Sequence, residues 1–244
     1  IYSLSNKPNF VIDIGNSRIK SSRVQGDVIL ESKTWDRVES LVTALPKGQN
    51  AIVCSVKHNS EQIKNIFGDD VFIFNEHSKL PIRINYDTPQ TLGLDRIASA
   101  VGAHFLFPSE DLLIIDAGSC ITYDLLINNS FEGGIISPGF KMRLKAMHEM
   151  TEQLPDVTAQ SDQYEWELIG KSTASCMISG AKNGMKNEIN GIVSLLKEKY
   201  AALRVLMTGG DTIIFENNLK DSIFVRSNLV PLGLNQILIH NEDI

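Results

Sequence analysis

The chain has 244 residues, of which 43% are hydrophobic and 21% are charged. This composition is typical of a globular protein that buries a sizeable core, and it excludes the disordered and fibrous classes. The net charge of -6 argues against broad binding to nucleic acids or to anionic membranes.

The first predicted elements make one α/β unit. An apolar strand that begins at Phe10 ends in a carboxylate and a glycine, Asp13 and Gly15, and a tight turn at Asn16-Ser17 leads back into the sheet. The pattern then predicts strands over residues 18–24 and 28–33, a helix over 38–45 and a buried strand over 51–56.

The same order of elements recurs in the second half of the chain. An apolar strand over residues 112–116 again ends in an acid, a small residue and a glycine, Asp116 to Gly118. Strands over 123–127 and 131–136, a long helix over 172–200 and a buried strand over 204–208 follow. An internal duplication is the simplest explanation. We therefore predict an α/β fold of two βββαβα halves, residues 1–100 and 101–244, packed around a central cleft.

The two repeated hairpins are candidate phosphate sites. The chain has neither a P-loop nor a G-x-G-x-x-G fingerprint. An Asp at the end of a buried strand can instead hold a hydrated divalent cation, and the following glycine lets backbone amides approach a phosphate. Each hairpin alone could equally be a turn closed by an Asx hydrogen bond, but the duplication favours the phosphate interpretation. Lys20 could present a point charge to a phosphate or remain in solvent.

A candidate catalytic acid lies at the start of a predicted helix. The helix begins at Thr91 or Gly93, which places Asp95 and Arg96 in its first turn. Asp95 beside a positive charge can accept a hydroxyl proton, and Arg96 can bind an anionic group. An acid in this place commonly serves only to offset the helix dipole, so the assignment depends on where the helix lies.

Three further segments carry candidate ligand contacts. Gly209 and Gly210 can admit the flat face of a purine, or they form a plain strand-to-helix turn. The glycine-rich run over residues 133–139 leads into a turn on the expected substrate side. Thr173 is either a helix N-cap, which the sequence favours, or a hydroxyl directed at a ligand.

The remaining signals concern the cellular setting. The chain has no apolar run near the roughly 18 residues that a membrane-spanning helix requires. Its three cysteines, Cys54, Cys120 and Cys176, lack the spacing of a zinc site and the density of a disulfide scaffold. We therefore expect a cytoplasmic protein with no membrane partner and no nucleic-acid partner.

Five motifs, taken together and in this order, resemble those of the type III pantothenate kinases. The resemblance spans residues 10 to about 235 and rests on the runs Asp13-Ile14-Gly15-Asn16-Ser17, Gly93-Leu94-Asp95-Arg96, Asp116-Ala117-Gly118-Ser119, Gly133 to Gly139 and Thr208-Gly209-Gly210. That family belongs to the superfamily of acetate and sugar kinases, heat-shock chaperone ATPases and actin. The resemblance thus implies a duplicated RNase-H-like fold.

The resemblance also implies an activity and a set of site residues. The activity is ATP-dependent phosphorylation of pantothenate to 4'-phosphopantothenate, the first step of coenzyme A biosynthesis, by a homodimer. Asp95 falls on the catalytic base, Asp116 on the ligand of an activating K⁺ or NH₄⁺, and Asp13 is the residue we expect to bind Mg²⁺. The expected nucleotide contacts are Asp13, Ile14, Gly15, Asn16, Ser17, Arg18, Lys20, Gly118, Ser119, Gly209 and Gly210. The expected substrate contacts are Tyr86, Gly93, Leu94, Asp95, Arg96 and Thr173, the last of which could serve the neighbouring protomer.

Two alternative functions stay open from the sequence. The first is a nucleotide-binding regulatory or accessory factor of the same family without kinase activity. A complete set of acidic residues argues against it, because a protein that only binds nucleotide has no need of Asp95. The second is a kinase or phosphohydrolase of the same superfamily that acts on a sugar or on acetate, which the fold alone does not distinguish.

Overall fold

The structure is a computed structural model that describes residues 7–16, 18–46, 48–215 and 223–242. Its strands are β1 (Asn9–Ile14), β2 (Ile19–Gln25), β3 (Val28–Trp35), β4 (Ala51–Ser55), β5 (Phe72–Ile73), β6 (Arg83–Ile84), β7 (Leu112–Ala117), β8 (Cys120–Ile127), β9 (Ser130–Pro138), β10 (Arg204–Thr208) and β11 (Ile223–Val225). Its helices are α1 (Val38–Ala44), α2 (Ser60–Phe67), α3 (Leu94–Leu106), α4 (Phe140–Glu149), α5 (Thr173–Lys199), α6 (Thr212–Phe215) and α7 (Leu229–Glu242).

The described residues form two compact units. The first comprises residues within 7–112, 124–133 and 228–242, and the second comprises residues within 113–123 and 134–227. These units are groups of residues that pack together, whereas the predicted halves, 1–100 and 101–244, are two copies of one sequence pattern. The packing units do not test that duplication. The halves therefore stay a prediction.

The first sheet has the strand order β3-β2-β1-β4-β5. The hairpin strands β1 and β2 pair antiparallel, and β1 pairs parallel with β4, so the predicted order of three strands, helix, strand and helix is confirmed. Alternate residues of β1 pack with the buried faces of α1 and α2 in a cluster that includes Ile12, Ile14, Leu41, Val53 and Ile63. Because β1 is packed into this core, the end of the strand that carries Asp13 is held in place.

The second sheet has the strand order β11-β10-β7-β8-β9-β6. Residues Leu112 to Ile115 of β7 are fully buried, as are Val205 to Met207 of β10. Such continuous apolar runs are typical of strands covered on both faces. None of the helices in the described part of the chain is long and apolar enough to span a bilayer.

Within the first unit, α3 packs against α7 at very close range. A Cβ atom on Gly102 would collide with the carbonyl oxygen of Leu229, and one on Gly233 would collide with the carbonyl oxygen of Ala98. Only glycine permits such an approach of two helix backbones. The C-terminal helix α7 therefore sets the position of α3, which carries Asp95 and Arg96.

Candidate active site

The first hairpin places Asp13 among charged neighbours. In the sheet register Asp13 lies opposite Lys20 on β2 and Cys54 on β4. The turn is closed by the Gly15 amide, which donates to the carbonyl oxygen of Arg18 at 3.0 Å. Burial and, to a smaller extent, the negative charge of Asp95 raise the pKa of Asp13, Lys20 opposes the rise, and the resulting pKa is about 6. Asp13 and Asp95 are therefore close enough for their charges to interact.

The buried thiol of Cys54 interacts electrostatically with the same two acids, Asp13 and Asp95. Its pKa lies well above the usual value because of burial and because of the charges of Asp13 and Asp95. The thiol is thus protonated at neutral pH and acts as a small packing residue beside the acids. Cys54 was not among the predicted site residues, and its only signal in the sequence is its place in the strand next to β1.

The other predicted residues of this hairpin differ in exposure. Ile14 is buried, Gly15 is half-buried, and Asn16, Arg18 and Lys20 are exposed. Ser17, which we expected to contact the nucleotide, lies outside the described residues.

Helix α3 begins as predicted, with Gly93 at the N-cap and with Asp95 and Arg96 in the first turn. The backbone amide of Arg96 donates to Oδ1 of Asp95 at 2.9 Å. The carboxylate thus folds back onto the N-terminus of its own helix, where it also offsets the helix dipole. This bond fixes the orientation of an acid whose charge also acts on Asp13.

Arg96 has a buried partner that the sequence reasoning missed. Its Nε and Nη2 donate to the same oxygen, Oδ1 of Asp124, at 2.8 and 2.6 Å. Burial alone would lower the pKa of Arg96, but hydrogen bonds and charge from Asp124, together with Tyr86, raise it. The guanidinium lies 5.6 Å from the ring centroid of Phe131, which in turn meets the Tyr86 ring edge-on. Asp124 left one signal in the sequence, an acid inside an otherwise largely apolar strand.

The second unit brings three predicted motifs together. Gly209, which directly follows β10, has a φ of +99°, and a Cβ there would collide with the Ala117 carbonyl oxygen and lie 2.5 Å from Oδ1 of Asp116. That carbonyl oxygen also accepts from the Asp211 amide at 2.9 Å. The amide of Gly139, which ends the glycine-rich run, donates to the Ser119 carbonyl oxygen at 3.2 Å. Gly118 is half-buried, and Ser119 is exposed.

Thr173 is the first residue of α5 and is not its N-cap. The cap is Ser172, whose hydroxyl accepts from the Ser175 amide at 3.2 Å while the Ser175 hydroxyl accepts from the Ser172 amide. The predicted capping role of Thr173 is therefore wrong by one residue. Thr173 is exposed and lines a shallow depression with Leu154 and Lys171, and its proposed ligand contact stays a prediction.

Comparison with known proteins decides the family. Residues 9–195 match the family model of the type III pantothenate kinases. The chain belongs to this family. A type III pantothenate kinase from Cytophaga hutchinsonii is 41% identical over 236 residues, which cover 96% of this chain and 99% of the relative. The family and enzyme class expected from the sequence are thereby confirmed.

Solved structures confirm the fold. The activator of the 2-hydroxyisocaproyl-CoA dehydratase from Clostridium difficile, with bound ADPNP, aligns with a TM-score of 0.53 at 16% identity, over 97% of this chain and 98% of its own. A glucokinase from an Antarctic psychrotroph aligns with a TM-score of 0.52 at 12% identity, over 97% and 100%. At these identities the likeness shows the fold alone, the α/β architecture of actin-like ATPases.

Proposed function

We propose that the chain transfers the γ-phosphoryl group of ATP to the primary hydroxyl of pantothenate, which gives 4'-phosphopantothenate and ADP, the first step of coenzyme A biosynthesis. Membership of an ATP-using kinase family supports the reaction class. The observation that carries the assignment in this molecule is the interaction of Asp13 with Asp95. Asp13 can bind the cation at the phosphate end of a nucleotide, and Asp95 can accept the proton of the attacking hydroxyl.

Asp95 is the proposed catalytic base. Phosphoryl transfer requires aligned oxygens, neutralised phosphate charge and a group that orients the attacking hydroxyl. The hydroxyl oxygen forms the new bond to the γ-phosphorus, the bond to the β,γ-bridging oxygen breaks, and the hydroxyl proton passes to the Asp95 carboxylate. The bond from the Arg96 amide holds that carboxylate in one orientation before the substrate arrives.

The nucleotide contacts are proposed separately for each unit. In the first unit, the turn that follows Asp13 and the exposed Lys20 would face the phosphates. In the second unit, Gly118, Ser119, Gly209 and Gly210 would provide backbone and hydroxyl contacts. Support comes from Gly209, whose missing side chain lets its backbone approach that of Ala117 closely.

The proposed divalent site uses Asp13. Among the residues that the structure describes, no three His, Cys, Asp or Glu side chains form a metal cluster. Mg²⁺ commonly uses one or two protein carboxylates and takes its other ligands from water and phosphates, so Asp13 beside Asp95 fits it. When bound, the ion supplies charge neutralisation at the phosphates.

The proposed monovalent site uses Asp116. Gly209 packs so closely against Asp116 that a Cβ at Gly209 would lie only 2.5 Å from Oδ1 of Asp116. The carboxylate oxygens of Asp116 are hard ligands of a kind that suits K⁺ or NH₄⁺, and the cation would neutralise charge near the nucleotide.

The proposed assembly is a homodimer with Thr173 serving the partner's site. Its support is the apolar exposure of the second unit, where Ile135 and Ile136 on β9 are 45% and 60% exposed and Leu168 and Ile169 are 74% and 75% exposed. Exposed apolar side chains of this size mark interaction surfaces. Light scattering tests the proposal: we expect twice the chain mass of 27.0 kDa, and Ile136→Asp should lower it.

The decisive experiment measures ADP release. Pantothenate, glucose, N-acetylmannosamine and acetate are each supplied with ATP and Mg²⁺, with and without K⁺. Of the four acceptors, we expect only pantothenate to give ADP release, and we expect K⁺ to increase the rate of that release. Release with a sugar or acetate instead would favour the superfamily alternative, and no release with any acceptor would favour the regulatory factor.

A further inference from the structure

The Arg96–Asp124 ion pair is almost completely enclosed. The two side chains are 9% and 1% exposed, and their closest atoms, Nη2 and Oδ1, lie 2.6 Å apart. Removing two charges from water costs about as much as their attraction returns, so a buried pair adds little net stability compared with packed apolar residues. Its presence beside the proposed substrate site therefore needs another explanation.

The pair holds Arg96 in a single place. Asp124 accepts two hydrogen bonds on one oxygen, from Nε and Nη2, which fixes the plane of the guanidinium. The Phe131 ring lies against the same group, and the Tyr86 side chain interacts with it. Two of the expected substrate contacts, Tyr86 and Arg96, are thus oriented by one buried acid.

The pair also anchors the first turn of α3. Asp124 lies on β8, whereas Arg96 directly follows Asp95 on the helix. The Arg96 amide donates to Oδ1 of Asp95, so a displacement of Arg96 would also move the carboxylate. Asp124 therefore acts on the proposed catalytic carboxylate as well, but less directly than on Arg96, to which it bonds.

We propose that Asp124 is a positioning residue for the acceptor site. Its buried carboxylate holds Arg96, and through Arg96 it sets the places of Tyr86 and Asp95. Asp124 does not itself touch the substrate. This inference rests on the proposed function, because it assigns Asp124 to the same acceptor site.

The test compares Asp124→Asn with a matched control, Glu188→Gln. The control also weakens an ion pair, in the second unit, where Nη2 of Arg143 lies 2.5 Å from Oε2 of Glu188. For Asp124→Asn we expect the KM for pantothenate to rise about tenfold or more, kcat to fall less, and the KM for ATP to stay within about twofold. For Glu188→Gln we expect the KM for pantothenate to stay within about twofold of wild type.

A double variant checks that Asp124 acts through Arg96. Arg96→Lys keeps the charge but loses the planar fork. If the two residues act as one unit, Asp124→Asn combined with Arg96→Lys raises the KM for pantothenate no more than the worse single variant. Multiplicative effects would overturn the proposal.

Protein stability is controlled for by thermal unfolding of every variant. Should Asp124→Asn fail to fold, Asp124→Glu keeps the negative charge but moves the carboxylate, and we expect the KM for pantothenate to rise about threefold or more. An unchanged KM in a folded Asp124 variant overturns the positioning role alone. A wild-type chain that releases no ADP with pantothenate overturns the proposed function itself.

Discussion

The two D-x-G hairpins repeat one sequence pattern in different surroundings. In the first, Asp13 lies opposite Lys20 and near Asp95, and its pKa is raised to about 6. In the second, Asp116 lies against the backbone of Gly209, which has a positive φ. The first hairpin thus places its acid near charged side chains, and the second places its acid close to a glycine backbone.

The difference teaches that two hairpins of like sequence depend on different features of their surroundings. An acid whose ionisation is opposed by burial and by a second acid is stabilised by whatever neutralises it, such as a cation. A carboxylate packed against a glycine backbone instead depends on that close approach, which only glycine allows. Four substitutions separate these two kinds of dependence.

The largest effect is expected for Asp95→Asn, which removes the acid on α3 whose charge acts on Asp13 of the first hairpin. We expect the fold and ATP binding to persist and kcat to fall about 10²-fold or more, because the variant cannot accept the hydroxyl proton. Steady-state ADP release with pantothenate measures this. Unchanged turnover would remove Asp95 from the catalytic role.

The second effect concerns Gly209→Ala in the second hairpin. Alanine is strained at a φ of +99°, and its Cβ would collide with the Ala117 carbonyl oxygen. We expect the free energy of unfolding to fall by about 2 to 4 kcal/mol, with weaker ATP binding. The matched control is Gly210→Ala, whose Cβ would meet nothing within 4 Å and should cost less than about 1 kcal/mol. Equal losses in the two variants, measured by urea unfolding, would contradict the steric account.

The third effect is a gain in stability from Asp13→Asn. The pKa of Asp13 is about 6 in the folded chain against the ordinary aspartate value of 3.8, so the stability that its proton contributes is present below about pH 4 and is lost as the pH rises through 6. At pH 7 without ligands, the neutral variant should be more stable by roughly 1 to 3 kcal/mol, and the gain should vanish near pH 4.

Urea unfolding at both pH values measures that gain. The exposed acid Asp27, in the turn between β2 and β3, offers the control, and Asp27→Asn should change the free energy of unfolding by less than about 0.5 kcal/mol. A loss of stability at pH 7 in Asp13→Asn would show that the surroundings of Asp13 do not disfavour its ionised carboxylate.

The smallest effect is expected for Lys20→Gln. The positive charge of Lys20 lowers the pKa of Asp13 against burial and Asp95, so its removal should raise that pKa above its present value. The change is modest because Lys20 is exposed and solvent screens its charge. A ¹³C NMR titration of the Asp13 carboxyl group reports it, and Asp95→Asn should move the same pKa downwards.

Local sequence patterns predicted most of the elements. The apolar runs of β1, β4, β7 and β10 and the start of α3 after Gly93 lie where the pattern places them, because burial periodicity and helix start signals act over a few neighbouring residues. The N-cap of α5 was displaced by one residue, from Thr173 to Ser172, since adjacent hydroxyl residues offer equivalent caps.

Contacts between distant residues were beyond such patterns. Asp124 on β8 bonds to Arg96 on α3, and the spacing of the two residues along the chain does not indicate that contact. The close approach of α3 and α7 at Gly102 and Gly233 was equally unpredictable, since a glycine in a helix does not indicate which residue packs against it.

The sequence by itself determined the family, the α/β class and the identity of the acids and glycines at the strand ends, because these are properties of short ordered motifs. Only the tertiary structure decided the environment of each acid. The pKa of Asp13 and the orientation of Arg96 depend on burial and on charges from other elements, and those quantities exist only once the chain has packed.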